Sequence, residues 1–254
     1  MKLTVEVLAG SADDCVAAAR CGADRVELNS SLGVGGLTPS PGAVRVGKER
    51  SGLPLAAMLR PRPAGFQYSE LEFETMLRDA AELVRAGADA LVAGILGADG
   101  RVDAARCATL MRAVPECREW VFHRAFDLVP EPFEALDTLI SLGFRRVLTK
   151  GRANSFEEGE ALLLELRGRA AGRIEILVPG IRPHNVRHVV RDDGFDQIHL
   201  GRFSGRVDPS NAANPGLYFG AASKGGEGSY EALDEGYARG LISLARESAA
   251  GAAR

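Results

Sequence analysis

Ionisable and amide side chains recur at the ends of short apolar segments throughout the chain. They are carboxylates, imidazoles, guanidinium groups, one amine and one amide: Glu6, Glu27, Asp127, His123, His199, Arg60, Arg62, Arg124, Lys150 and Asn29. Burying so many ionisable groups costs free energy unless they pair with one another or perform chemistry. Side chains of these types can bind a small anionic metabolite and transfer protons to or from it.

Within this set, Glu27 and His123 are interpreted as a general acid and base, because a carboxyl and an imidazole can exchange protons near neutral pH. Asp127 is predicted to orient His123. The guanidinium forks of three arginines are predicted to clamp a carboxylate or phosphate: Arg60, Arg62 and Arg124. The remaining predicted binding residues are Glu6, Asn29, Thr149, His199, Gly201 and Arg202.

Lys150 supports a different hypothesis. A lysine that loses solvent near arginines acquires a lowered pKa, and its amine then becomes nucleophilic. Class I aldolases on barrel folds use a Schiff-base lysine on the sixth strand, which is where Lys150 falls. A simpler role for Lys150 is anion binding beside Arg124.

Other interpretations remain open. Glu6 and Glu27 could form a purely structural ion-pair network with arginines. The two histidines and two glutamates could hold Zn or Mn without thiols, although no metal ligand is assigned here. A non-catalytic, oligomeric binding protein is a third possibility, and the sequence allows a homo-oligomer.

A phrase that occurs four times indicates which elements carry these residues. The copies read GADRVEL, GADALVA, GFRRVLT and GFDQIHL and begin at Gly22, Gly87, Gly143 and Gly194. Each glycine suits the left-handed end of a helix, and a buried strand follows it. Four such joints, 51 to 65 residues apart, predict eight strands that alternate with helices. The predicted fold is a single (β/α)8 TIM barrel over residues 1–254, favoured over an open doubly wound sheet.

Eight strands can be read from the sequence: Leu3–Leu8, Arg25–Asn29, Leu55–Arg60, Ala90–Ile95, Glu119–Arg124, Arg146–Lys150, Ile174–Val178 and Gln197–Gly201. A helical pattern follows each strand, and Ser11 and Ser69 are predicted helix caps. Two long loops follow strands, Arg60–Ser69 and residues 202–228 before the C-terminal helix. Both are expected at the face where barrel active sites form.

The repeats also predict which side chains enter the barrel. Aligned on their glycines, they place at one inward position Glu27, Val92, Leu148 and His199. The next inward layer, at the C-terminal mouth, holds Asn29, Gly94, Lys150 and Gly201. Glycines beside polar groups leave open volume, as in a small-molecule site.

Composition limits the partners and the compartment. The formal net charge is −3 without a basic block, so nucleic acid is not an expected partner. No apolar run reaches the roughly 20 residues of a membrane span, and no signal peptide is recognised. The four cysteines lack metal-site spacing and suit a reducing compartment, so a cytoplasmic location is expected.

Several strings resemble the copper homeostasis protein CutC family. They are GADRVELNSSLGVGGLTPS, LRPRPAGFQYSELE, VFHRAFD and GFRRVLTKG, and the likeness runs to about Gly201. The resemblance implies a cytoplasmic TIM barrel with an assigned role in copper handling.

The same resemblance implies copper ligands that this chain lacks. Family members often carry cysteines at the ends of strands 1 and 2 and after the histidine of strand 8. The corresponding residues here are Leu8, Asn29 and Leu200, and Lys150 replaces a serine. Cu(I) selects soft thiolates. Copper binding by this route is therefore not expected, and no cofactor is assigned.

Overall fold

A computed structural model of the chain describes residues 3–220 and 226–251. Eight parallel strands close into one barrel in sequence order. They are β1 (Thr4–Ala9), β2 (Arg25–Leu28), β3 (Leu55–Met58), β4 (Ala90–Ala93), β5 (Glu119–Phe122), β6 (Arg146–Leu148), β7 (Glu175–Pro179) and β8 (Gln197–Leu200). β8 pairs with β1, where Glu6 lies opposite His199, and this pairing closes the barrel. The predicted (β/α)8 barrel is confirmed.

Seven α-helices surround the barrel in the described residues. They are α1 (Ala12–Cys21), α2 (Pro41–Ser51), α3 (Glu70–Arg85), α4 (Ala104–Ala113), α5 (Pro132–Leu142), α6 (Phe156–Ala170) and α7 (Glu235–Gly251). After β7 the expected helix is reduced to a short π-helical segment, His188–Asp192. The long connection after β8 was predicted to be a loop and instead begins and ends with strands.

Those two strands form an antiparallel hairpin outside the barrel, β9 (Phe203–Val207) and β10 (Ser229–Leu233). The backbone N–H of Leu233 donates to a carboxylate oxygen of Asp14 over 2.8 Å, which ties the end of the hairpin to α1. Residues 221–225 of the predicted loop lie outside the described residues.

Local signals explain where the elements begin and end. The four repeat glycines all have positive φ, which an L side chain rarely adopts: Gly22, Gly87, Gly143 and Gly194. Ser11 accepts a hydrogen bond from Asp14 N and caps α1. Ser69 and Glu72 form a reciprocal capping box at the start of α3. The predicted caps are confirmed.

The predicted inward register is confirmed for the layer that contains Glu27. Val92 packs inside the barrel in a small apolar cluster with Ala56, Met58, Ala90 and Val121. The strand residues next to these and to the other inward positions join the larger core between the barrel and the helices: Val26, Ala57, Leu91, Val147 and Ile198. Alternate strand residues therefore face opposite sides of the sheet. This alternation directs Glu27 and His199 into the barrel, where both are buried.

Candidate functional site

A cavity of about 500 Å³ opens at the C-terminal ends of the strands. Its volume lies within the range of small-molecule sites. The polar residues that line this mouth cavity are Glu27, Asn29, Arg60, His123, Arg124, His199 and Glu231. Its apolar wall is formed by Leu8, Leu32, Met58, Phe66, Leu148 and Phe203, while Gly35 and Gly201 complete it. Six of the sequence-predicted polar residues therefore meet at one cavity.

Three lining residues carry a buried polar atom for which the described protein offers no hydrogen-bond partner. These atoms are Oε2 of Glu27, Nε of Arg60 and Nε2 of His123. Leaving one such atom unsatisfied costs about 1–3 kcal/mol. Three unpartnered polar atoms on residues of one cavity are expected where a bound ligand supplies the missing hydrogen-bond partners.

His123 is held in one tautomer by the backbone. The N–H of Ala125 donates to Nδ1 over 3.1 Å, so the ring proton resides on Nε2. The ring packs against Phe66, with centroids 4.7 Å apart. Burial lowers the pKa of His123 to about 3, and the positive charge of Arg60 adds to this effect. The imidazole is therefore neutral, and its Nε2–H is a buried donor without a partner among the described residues.

Glu27 keeps one carboxylate oxygen free. Nδ2 of Asn29 donates to Oε1 over 3.0 Å, and Oε2 has no partner among the described residues. Burial raises the pKa of Glu27 above its ordinary value, and the attraction of His199 offsets this only in part. A carboxyl with a raised pKa is a stronger base when it is ionised, which suits proton transfer.

Glu6 was predicted to bind substrate, but both of its oxygens are used by the protein. Oε2 accepts from Nε of Arg25 over 2.6 Å, and Oε1 lies 2.7 Å from Nδ1 of His199. Burial opposes ionisation, yet the charge of Arg25 and the bond to His199 outweigh it and hold the pKa of Glu6 well below its usual range. Glu6 does not line the mouth cavity and instead supports His199 from below.

Arg60 organises the loops around the mouth. Its Nη1 donates to the carbonyl oxygens of Gly35 and Gly36, each over 3.0 Å, and Nη2 donates to that of Ala64 over 2.7 Å. The guanidinium lies over the Phe66 ring, 5.0 Å from its centroid. Most of its donors are thus committed to the backbone, and only Nε remains for a ligand. The predicted two-pronged clamp by Arg60 is wrong.

Arg62 does not contribute to the cavity. Nε of Arg62 donates to Glu72 over 2.6 Å, and Nη2 donates to the carbonyl oxygen of Gln67. The side chain lies over the Tyr68 ring and shapes the loop after β3. Its predicted role in anion binding is therefore not supported by its position.

Asp127 does not orient His123, contrary to the prediction. Its carboxylate accepts from Nε of Arg124 over 2.7 Å and from Oγ1 of Thr149 over 2.6 Å. It also accepts from the backbone N–H groups of Lys150 and Arg152. Asp127 and Thr149 thereby fix the loop after β6, and neither lines the mouth cavity. Arg124 remains at the cavity rim with 44% of its side chain exposed.

Lys150 lies beside the mouth cavity and not in its wall. Its Nζ donates to the carbonyl oxygen of Asn154 over 3.0 Å. Burial and the positive charges of Arg124 and Arg182 lower its pKa, as the sequence predicted. The inward placement that the repeats predicted is not observed, because Lys150 follows the last residue of β6 and turns toward the next loop.

The hairpin contributes two residues that sequence reasoning missed. Phe203 of β9 and Glu231 of β10 both line the mouth cavity. Gly201 lines it as predicted, whereas the guanidinium of Arg202 lies over the ring of Tyr237, 5.4 Å from its centroid. The phosphate-binding role of this segment stays a prediction.

A second missed feature is an ionic layer at the opposite, N-terminal end of the barrel. It consists of Arg25, Glu119, Arg146, Glu175 and Gln197. Nη1 of Arg146 donates to Glu119 over 2.8 Å. The repeats contained the signal, because Arg25, Arg146 and Gln197 occupy the inward position two residues before Glu27, Leu148 and His199. Three atoms here also lack hydrogen-bond partners, but their side chains take part in ion pairs, unlike Glu27 and His123.

The fold and the mouth cavity together define a (β/α)8 barrel protein with a polar site at the C-terminal ends of its strands. Residues 3–204 match the model of the CutC family. The chain is 48% identical over 236 residues to a CutC family protein of Treponema denticola, which covers 92% of this chain and 96% of that protein. The chain belongs to the CutC family.

Two further relatives agree with this assignment. The human protein named copper homeostasis protein cutC homolog is 38% identical over 243 residues, 95% of this chain and 89% of that protein. The crystal structure of a CutC protein from Streptococcus agalactiae has a TM-score of 0.73 and 33% sequence identity, and the match covers 78% of this chain and 97% of that one. In the described residues, no helix has the length and apolar character needed to cross a membrane.

The residues present do not suit thiolate binding of copper. No described cysteine lines the mouth cavity, and all four are buried elsewhere. Burial raises the pKa of Cys15 and Cys107 to about 12. Leu8 lines the cavity where the family resemblance implies a cysteine, and Leu200 faces the outer core.

A harder cation has one candidate position among the described mouth residues. Glu6, Glu27 and His199 offer ligand atoms within 4.8 Å of one another. However, Glu6 already binds Arg25 and His199. Burial opposes protonation of His199, but the bond to Glu6 and the charge of Glu27 outweigh it and raise the pKa of His199. Because the protein already engages both oxygens of Glu6 and Nδ1 of His199, this cluster is interpreted as an ion-pair network.

Proposed function

We propose that this protein binds and transforms a small anionic metabolite in the mouth cavity. Glu27 and His123 are the residues that take part in proton transfer or donate hydrogen bonds to the metabolite. The observation that carries the proposal is the set of three unpartnered polar atoms on Glu27, Arg60 and His123. All three residues line one cavity of suitable size. A ligand that offers both acceptor and donor groups would satisfy all of them.

The site's charges support an anionic ligand. Arg60 is buried in the cavity wall and Arg124 lies at its rim. Nε of Arg60 and Nε2 of His123 are donors, and donors in a low-dielectric site bind anionic oxygens strongly. Of the two arginines that line the cavity, Arg124 has the more exposed side chain, so one charged group of the ligand is expected to lie at the rim.

The proposal is tested by ligand-observed NMR with a panel of hydroxy acids, keto acids and sugar phosphates. We expect at least one compound to bind wild-type protein saturably and to lose binding in Glu27→Gln and His123→Ala. Glu74→Gln, on the exposed face of α3, is the control and should bind as wild type. Unchanged melting temperatures in both site variants would show that the residues bind ligand and do not merely stabilise the fold.

Two results would contradict the proposal. One is the absence of saturable binding across the panel. The other is a large fall in melting temperature in both Glu27→Gln and His123→Ala, because breaking a structural buried pair costs about 3–5 kcal/mol.

A further inference from the structure

The mouth cavity offers groups for proton transfer and no side chain for covalent catalysis by an alcohol, thiol or amine. Among its described lining residues there is no serine, threonine, cysteine or lysine. Lys150 is held by the carbonyl oxygen of Asn154, outside the cavity wall. Chemistry at this site must therefore depend on Glu27, on the imidazoles and on positioned N–H donors.

His123 is built to donate a hydrogen bond and not to accept a proton. Its Nδ1 is occupied by the N–H of Ala125, which leaves Nε2–H as the one ring donor without a partner among the described residues. A methyl group at position 94 would overlap the imidazole, so Gly94 makes the space in which the ring lies. The nearby positive charge of Arg60 further opposes protonation of the ring.

A second donor lies close to the first. The guanidinium of Arg60 and the imidazole of His123 contact the same Phe66 ring, at 5.0 and 4.7 Å between centres. Nε of Arg60 is the one nitrogen of that group without a protein partner. Buried N–H donors of this kind stabilise an oxygen that gains negative charge during a reaction.

Building on the proposed function, we infer that the site abstracts a proton from carbon next to a carbonyl group and so isomerises a small hydroxycarbonyl compound. A carboxylate base and an imidazole kept neutral, both lining one cavity, are the groups that enediolate chemistry uses. The free oxygen of Glu27 serves as the base, and Nε2–H of His123 donates to the carbonyl oxygen. Nε–H of Arg60 supports the same oxygen.

The reaction needs no oxidant, reductant or co-reactant. Glu27 takes the proton from the carbon next to the carbonyl, and the electron pair of the C–H bond forms the C=C bond of an enediolate. The π pair of the carbonyl moves onto its oxygen, which His123 and Arg60 stabilise. Return of the proton from Glu27 to the neighbouring carbon, with proton transfer between the two oxygens, gives the isomer.

The apolar wall limits the substrate's size and shape. Leu8, Met58 and Leu148 enclose the inner part of the cavity, and Phe203 of the hairpin adds to its wall. A cavity of about 500 Å³ accommodates a short-chain hydroxyaldehyde, hydroxyketone or hydroxy-keto acid, free or phosphorylated.

The test measures exchange of carbon-bound hydrogen for deuterium in D₂O. The probes are dihydroxyacetone, glyceraldehyde, erythrulose and hydroxypyruvate, with dihydroxyacetone phosphate and glyceraldehyde 3-phosphate. Wild-type protein should catalyse exchange next to the carbonyl of at least one probe. Glu27→Gln should reduce the rate about 10²- to 10⁴-fold. His123→Ala should reduce it about 10²- to 10³-fold. Glu74→Gln should not change it.

Failure of this inference can be distinguished from failure of the proposed function. A probe that binds saturably and depends on His123 but shows no exchange would overturn the inference and leave the proposed function standing. So would binding of anions without a carbonyl and of none of the six probes. Absence of binding by every compound would overturn both.

The tautomer provides a test that needs no ligand. Nitrogen-15 NMR of the wild-type protein should show His123 neutral with its proton on Nε2 across about pH 5 to 8. A protonated ring, or a proton on Nδ1, would overturn the inference, because the cavity would then lack the neutral donor.

Discussion

At the scale of single residues, the environment assigns different roles to chemically similar groups. Glu6 and Glu27 lie in adjacent strands, yet Glu6 is ion-paired through both oxygens while Glu27 keeps one oxygen free. His123 and His199 diverge in the same way, because burial near Arg60 lowers the pKa of His123, whereas the bond to Glu6 and the charge of Glu27 outweigh burial and raise the pKa of His199. Pairing, and not residue type, therefore determines which groups remain for chemistry.

The depressed pKa of His123 predicts a dependence of stability on pH. In the folded protein this pKa is about 3, whereas the unfolded value is near 6.5. Between these values the unfolded state binds one more proton, so the contribution of His123 to stability falls as pH falls from 6.5 toward 3. The expected slope is about 1.4 kcal/mol per pH unit.

Urea unfolding of wild type and His123→Gln over this pH range measures the effect. The difference between the two free energies of unfolding should change with pH below about 6.5 and stay constant above it. A difference that is independent of pH would show that His123 has the same pKa in the folded and the unfolded protein.

Lys150 leads to a prediction about covalent chemistry. Its pKa is lowered, but its ammonium group donates to Asn154 and does not line the mouth cavity. We expect borohydride trapping with small keto acids and sugar phosphates to give no adduct at Lys150. Mass spectrometry of the treated protein provides the measurement. A stoichiometric adduct at Lys150, absent in Lys150→Ala, would instead support a Schiff-base aldolase.

At the scale of elements, the strands contribute to the mouth cavity at their C-terminal ends and to an ionic layer at their N-terminal ends. β2 illustrates this with Arg25, Glu27 and then Asn29 on successive inward positions. The strand pairing brings Arg25 beside Glu6 of β1 and within 3.0 Å of Gln197 in β8. This layer links three strands by charge and hydrogen bonds at the position where the barrel closes.

Removing one member of this layer should destabilise the protein. Arg25→Met leaves the Glu6 carboxylate, 1% exposed, without its closest partner. Loss of one partner of a buried ion pair costs about 3–5 kcal/mol. The matched control is Arg78→Met, which breaks a surface pair of the same 2.6 Å separation with Glu74. The control should cost at most about 1 kcal/mol.

Chemical unfolding of both variants measures these costs. Equal losses of stability in Arg25→Met and Arg78→Met would indicate that the ionic layer is as solvated as the surface.

At the scale of the whole molecule, the four repeats made the barrel predictable from sequence. Their glycines, caps and alternation predicted eight strands and the inward position of Glu27 and His199. The repeats could not predict which hydrogen-bond and ion-pair partners the polar loop side chains have. Asp127 and Arg62 contact neighbouring loops because those loops place hydrogen-bond donors and acceptors close to them. The periodicity of the strands does not predict the geometry of the loops. The hairpin was missed because the segment between its strands is rich in Gly, Asn and Ser, which is typical of one long loop.

The family's association with copper leads to a prediction for the whole protein. Its described cysteines are buried in and between helices, and none lines the mouth cavity. We expect Cu(I) to bind no more tightly than to a protein with generic surface thiols. Competition with a Cu(I) chelator measures the affinity. A tight one-to-one complex that is abolished by changing Glu27 or His199, and unaffected by Cys15→Ser, would contradict this expectation.

The buried neighbours Glu6, His199 and Glu27 have a calorimetric consequence. These two carboxyl groups and one imidazole are all buried, so a change in the charge near one of them affects the protonation of the others. An anion that enters the mouth cavity adds negative charge beside them and raises the pKa of Glu27 further. Binding should then take up protons from the buffer, and the observed heat should vary with the buffer's enthalpy of ionisation. Such proton uptake would partly offset the charge that the anion brings into the cavity.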